Sequence, residues 1–405
     1  MKNLCLTFFG LIISVSAAIG QPSPGKNYQL EKSLTAPSQV EQWYLEGEGV
    51  IAVREGEMQW LSEGNGAALS FPPGYLKTVF SDGGRFFAVL SLRQESGDTD
   101  GNRILEAEVY SSERQKRYSL SLTQYYDEPY PVIAVSDRDG SLVLARITTG
   151  ELFFYSQSGG LTRKLLLFPQ AAYDLERVIH LAISRDGSAV AIAATEHGLK
   201  PLQAERGSLS AAPYLFSFTS DGQMRWQKAA KGAMISGLAV SADGNLIAAG
   251  SYTPDADHPM IAKSTVYNRA GKPLAQADML FKSASYSSDS RSLLLADKRS
   301  VLLLDIPAGS VAWKKEVPPQ EGMISAARLS GDGQTAVLLI AENEFRNNRF
   351  IFTNPVMKVM NAGGELLQNM DLAGQEFITP ALHVSENGSL ISAGFINNYQ
   401  TFRVK

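Results

Sequence analysis

The stretch Met234–Tyr252, MISGLAVSADGNLIAAGSY, sets the terms for the whole chain. A short apolar run, Ile235–Val240, meets the turn Ser241-Ala242-Asp243-Gly244, and a second apolar run, Leu246–Ala249, follows. Ser and Asp side chains bond nearby backbone N–H groups, and Gly takes positive φ without steric cost. The segment is therefore predicted to be a β-hairpin. One hairpin cannot bury its own faces, so its recurrence is what constrains the fold.

Eight copies of the turn are present. They are Glu46-Gly47-Glu48-Gly49, Ser81-Asp82-Gly83-Gly84, Ser136-Asp137-Arg138-Asp139-Gly140 (one residue longer), Ser184-Arg185-Asp186-Gly187, the Ser241 turn itself, Ser287-Ser288-Asp289-Ser290, Ser330-Gly331-Asp332-Gly333 and Ser385-Glu386-Asn387-Gly388. Aliphatic runs such as RFFAVL, AVAIAA and AVLLIA follow them, and the turns stand 35 to 57 residues apart. A second hairpin closes most repeats, as in Leu215–Phe218 followed by SDGQMRW and Val301–Ile306 followed by PAGSVAW. Each repeat thus holds about four strands with no amphipathic helix between them, which is the content of a propeller blade. The expected fold is all-β: a single β-propeller over residues 37–405, built from four-stranded antiparallel blades. The longer repeats carry polar insertions at Arg93–Arg103, Gly198–Pro213, Pro254–Lys263 and Glu342–Pro355, which are predicted to be surface loops.

The ends supply the closure. After Gly388 only enough chain remains for two strands, SLISAGFI and QTFRVK. The extended N-terminal segment 21–36 contains the alternating run Tyr28–Leu34, which is expected to add the missing outer strand and remove the open edge. Eight blades result. Seven is the alternative, if Trp43–Phe71 and the C-terminal piece share one blade.

Residues 1–20 read as a secretory signal peptide. Lys2 precedes an apolar core, Leu4–Val15, and small residues at Ala18-Ile19-Gly20 place cleavage before Gln21, or after Ala18 in the alternative. No other stretch approaches the length of a membrane span, so none is expected after signal removal. The expected compartment is the periplasm or the extracellular space. The only cysteine, Cys5, falls inside the signal. The mature chain then has no disulfide, thiolate metal site or thiol nucleophile. A formal net charge of −4 gives no electrostatic footprint for nucleic acid.

The repeated Ser-x-Asp-Gly turn followed by an aliphatic strand resembles WD-type repeats and their secreted bacterial relatives. The endings Gly222–Trp226 and Gly309–Trp313 look like the pyrroloquinoline-quinone (PQQ)-like propeller repeat. The resemblance spans about residues 40–400 and implies the propeller fold rather than an activity. The Trp-Asp and Gly-His pairs of true WD repeats are absent. Quinoprotein relatives commonly set a vicinal cysteine pair against their cofactor, and this chain has none, so no cofactor is expected.

Candidate chemistry is sparse. Asp98, Asp100, Asn102 and Glu106 offer oxygen ligands in one insertion, a pattern suited to Ca²⁺. Asp255, Asp257 and His258 offer a transition-metal set in another. His180 and His383 precede their turn serines by four and two residues. Both offsets are even, so the two side chains share a face of equivalent strands and are candidates to flank a ligand in the central channel. No Gly-x-Ser-x-Gly motif is present. The expected function is an exported, non-catalytic scaffold that binds a protein or other macromolecule through its loop face. The alternative is a propeller enzyme or small-ligand binder with its site at the channel mouth.

Overall fold

A computed structural model describes residues 27–35, 39–46, 49–54, 56–61, 68–94, 102–125, 127–168, 177–195, 213–229, 234–253 and 261–405. The signal segment and Cys5 lie outside these residues. The described strands form eight antiparallel sheets arranged as blades 1 to 8 in chain order. Their innermost strands are Gln42–Glu46, Tyr75–Phe80, Val132–Val135, Ile179–Ile183, Met234–Val240, Ser283–Tyr286, Met323–Leu329 and Ala381–Val384. Each blade has four strands, and blade 7 gains a short fifth, Glu376–Phe377, paired to its third.

Blade 8 is assembled from both chain ends. The strand Tyr28–Thr35 pairs antiparallel with Asn398–Val404 and becomes the outermost strand. The Tyr28 hydroxyl donates to the Gly388 carbonyl at 2.5 Å, and Gln368 of blade 7 accepts the Tyr28 backbone N–H at 2.6 Å. The N-terminal strand therefore closes the ring as expected.

The turn chemistry reads as the sequence implies. The Ser241 hydroxyl donates to Asp243 Oδ1 (2.5 Å) and accepts the Leu246 N–H (3.0 Å). Asp243 Oδ1 also accepts the Asn245 N–H, and Gly244 closes the turn at φ 66°. Blades 4, 6, 7 and 8 repeat this arrangement, with Asn387 replacing the aspartate in blade 8.

Apolar side chains of adjacent blades interdigitate in eight clusters, one for each junction around the ring. Between blades 3 and 4, Phe154, Phe216 and Phe218 are fully buried and make ring-to-ring contacts of about 6 Å, within the range favoured by aromatic pairs. On the rim, the indole of Trp226 donates to Arg269 O (3.1 Å) and that of Trp313 to Ala362 O (2.8 Å). Each ring lies over a positive-φ glycine of the next blade, Gly271 or Gly364, where a Cβ would strike it. Both Gly-x-x-x-Trp tryptophans thus serve blade-to-blade packing.

Candidate functional site

The inner strands alternate in a fixed sense. One and three residues before the turn serine, side chains enter the cluster shared with the preceding blade; Ile183 and Leu181 of blade 4 and Leu329 and Ala327 of blade 7 do so. Side chains two and four residues before it face the following blade and the lumen. Small residues there, such as Ala134, Ala182 and Ala239, leave space, whereas long ones emerge into the channel.

His180 and His383 both occupy even positions, in blades 4 and 8. Four blades apart in a ring of eight, they lie on opposite walls and at different levels. Both are half-buried. Burial pushes the His180 pKa below its usual value, opposed by a hydrogen bond to the Ile235 backbone of blade 5. Burial also lowers His383, and the Arg328 and Arg185 guanidiniums push it further down. The structure thus brings His383 together with two arginines rather than with His180.

Of the predicted Ca²⁺ set, Asp98 and Asp100 lie outside the described residues. Asn102 immediately precedes the strand Arg103–Ser111, and Glu106 sits four residues further on, about 13 Å along an extended chain. Glu106 pairs with Arg93 at 3.0 Å. Asp255, Asp257 and His258 also lie outside the described residues. Among those described, no group of three or more His, Cys, Asp or Glu is placed to hold a metal ion.

Two surfaces distinguish the faces of the ring. The four predicted insertions all join the second and third strands of their blades, in blades 2, 4, 5 and 7. In an antiparallel meander these connections share one end of the barrel with the blade-to-blade links, while the Ser-x-Asp-Gly turns crowd the other. Residues 95–101, 196–212 and 254–260 of the insertions lie outside the described set. The fourth is not a loop but a prong: Thr335–Arg346 runs out and Arg349–Asn361 returns. Its two-residue turn, Asn347-Asn348, has φ of 54° and 63°, the left-handed values of a tight hairpin. Phe345 and Phe350 face each other across it at 5.0 Å, edge to face, and are 61% and 60% exposed. The tip is held by the Arg346–Glu376 ion pair (2.7 Å) and by Arg349 near Glu41 (3.8 Å), and the shaft below it by stacking of Phe352 on Phe377. Exposed Tyr125 and Tyr130 lie on the same face, in the link between blades 2 and 3.

At the opposite end, Arg85, Arg138 and Arg185 line a cleft of about 360 Å³ with Asp137, Asp186 and Ala242. Both carboxylates are already engaged. Asp186 serves its own turn. Asp137 accepts from the Ser81 hydroxyl (2.7 Å) and the Arg85 N–H (3.0 Å), and Arg185 Nε lies 3.6 Å from its other oxygen.

No family model matches the chain, and no curated protein does. Among solved structures, the C-terminal WD40 domain of Sif2 aligns over 94% of this chain and 99% of its own length, with a TM-score of 0.55 at 12% identity. The fold is an eight-bladed β-propeller, similar to that of the WD40 domain. A eukaryotic initiation factor aligns over 88% of this chain and 93% of its own, with a TM-score of 0.48 at 11% identity. Kuenenia stuttgartiensis hydrazine synthase aligns over 81% and 97%, with a TM-score of 0.48 at 12% identity.

Sequence reasoning missed three features of this propeller: the aromatic tip of the prong, the arginine-lined cleft, and the cations at Lys77 and Arg328 of the inner strands. Phe345 and Phe350 flank an Asn-Asn pair at hairpin spacing, which was a legible signal. Lys77 and Arg328 stand four and two residues before their turn serines, the same even register that singled out the histidines.

Proposed function

We propose that this chain is an exported, non-catalytic propeller that binds a protein partner through its loop face, with Phe345 and Phe350 as anchors. The observation that carries the reading is the exposed aromatic pair on a prong whose tip is pinned by ion pairs beside it. A rigid aromatic anchor loses little conformational entropy on docking, and such residues dominate interface energetics. The exposed Tyr125 and Tyr130 lie on the same face and supply further aromatic contacts. WD40-type propellers commonly serve as protein-interaction scaffolds, which supports a binding role. Export rests on the character of residues 1–20.

The test is affinity capture from the periplasmic and culture-medium fractions of the source cells, with the mature chain and its Phe345→Ser/Phe350→Ser variant as baits. A partner retained by the parent and lost by the variant supports the reading. Equal capture by both, or none by either, refutes it. Fusing residues 1–20 to a reporter active only outside the cytoplasm tests export separately.

A further inference from the structure

Lys77 and Arg328 stand at even positions of inner strands, four and two residues before their turn serines, and both side chains are exposed. A residue within an innermost strand meets solvent only in the lumen, so both side chains emerge there. Surrounding protein still depresses both pKa values through desolvation; for Arg328, Asp82 and Tyr44 partly offset this. Arg328 Nη1 donates to the Ala327 carbonyl (3.0 Å) and approaches Ser283 Oγ (3.4 Å). Neither Arg328 nor Lys77 has a carboxylate within ion-pair distance among the described residues. His383 stands at the level of Arg328 on the neighbouring inner strand.

The lumen-facing positions of the inner strands offer these cations no carboxylate, and Asp82, in the blade 2 turn, acts on Arg328 without reaching ion-pair distance. In no blade is the residue two or four positions before the turn an Asp or Glu. Ala134, Ala182, Ala239 and Ser285 leave room at the level of Arg328. Above them the cleft adds Arg85 and Arg138, which have no side-chain partner among the described residues. A chain of net charge −4 has thus gathered unpaired cations in a confined space, where repulsion and desolvation both oppose them. A bound anion relieves both costs, and guanidinium and ammonium groups are matched to oxyanions.

We propose that the lumen is a binding site for a small oxyanion, a phosphate or carboxylate group, held by Arg328 and Lys77 beside His383 and admitted through the cleft of Arg85, Arg138 and Arg185. The site is distinct from the loop face and does not depend on a partner binding there.

Calorimetric titration of the mature chain at low salt, with inorganic phosphate and with citrate as separate probes, tests it. Saturable binding of either is expected, and the tighter probe identifies a phosphoryl or a polycarboxylate ligand. Arg328→Gln is expected to weaken binding at least about 10-fold and Lys77→Gln several-fold, as befits charge-assisted hydrogen bonds. Lys314→Gln, on an outer strand, leaves it unchanged. The Lys77 side chain makes no hydrogen bond among the described residues, so Lys77→Gln keeps the test valid if Arg328→Gln fails to fold. No binding of either probe at 10 mM, on the order of the weakest meaningful affinity, overturns the proposal. So does binding that survives both substitutions but is lost in Arg85→Gln/Arg138→Gln, because the site then lies at the mouth.

Discussion

The Asp137 carboxylate takes the hydrogen bond of the Ser81 hydroxyl one blade away, at 2.7 Å. In blades 4 to 8 the corresponding hydroxyl bonds the third residue of its own turn. In blade 2 the third residue is Gly83, and Asp137 substitutes for the missing side chain, accepting also the Arg85 N–H. A Cβ on Gly83 would lie 2.5 Å from Asp137 Oδ2. Blades 2 and 3 are therefore joined through a shared turn.

Removing that carboxylate leaves a buried hydroxyl and a backbone N–H without an acceptor. Asp137→Ala is expected to cost about 1–3 kcal/mol in urea unfolding. Gly83→Asp alone also destabilises, because two carboxylates then compete for one position. Together the substitutions restore the turn of the other blades. The double variant should be more stable than the sum of the single effects, and additivity in a double-mutant cycle contradicts the shared turn.

Acid should weaken the fold in two stages. The pKa values of His180 and His383 are depressed in the folded chain, so the unfolded chain binds more protons once pH falls below about 6.5. Stability present above that pH is lost as pH falls through the folded values, with a slope of up to about 1.4 kcal/mol per pH unit per histidine. Asp289 is held low by the Ser287 hydroxyl. For Asp243, burial acts upward but the hydrogen bonds of its turn outweigh it. These carboxylates add a second loss below about pH 4. Melting temperatures measured from pH 7 to 3 should show both stages, with the first reduced in His180→Gln/His383→Gln.

The prong tip contributes to recognition rather than to stability. Phe345→Ser/Phe350→Ser is expected to change unfolding free energy by no more than about 0.5 kcal/mol, the usual effect of exposed substitutions. A larger loss would mean that the pair packs against the body.

Ring closure can be cut at one strand. Deleting residues 1–35 removes the partner of Asn398–Val404 and the Tyr28–Gly388 hydrogen bond. The truncated chain is expected to melt at lower temperature and to self-associate through the exposed edge, as read by size-exclusion chromatography. A monomer with unchanged melting contradicts the role assigned to this strand.

The propeller was legible because its turns are chemical marks. Ser, Asp and Gly at fixed offsets announce a hairpin wherever they recur, and Tyr28–Leu34 announced the closure by alternation. The site was less legible. Register arithmetic located His180 and His383 on one face, but a lysine or arginine in a strand reads as solvated, so Lys77 and Arg328 passed unnoticed. Their significance depends on what the other blades place opposite them, and only ring closure shows that. The extra residue in the Ser136–Gly140 turn was visible, yet nothing local to it points to Ser81, 55 positions earlier.

The seam in blade 8 has a consequence for how the molecule comes into being. Its outermost strand is the first part of the ring to be synthesised and its partner the last, with Tyr28 and Gly388 separated by 360 positions. No nascent chain that lacks Asn398–Val404 can form the closed ring, so the blades made earlier wait with one flank uncovered. A circular permutant opened within the Ser241–Gly244 turn would move that seam to blade 5 and turn blade 8 into a continuous hairpin array, separating the order of synthesis from the architecture it has to complete.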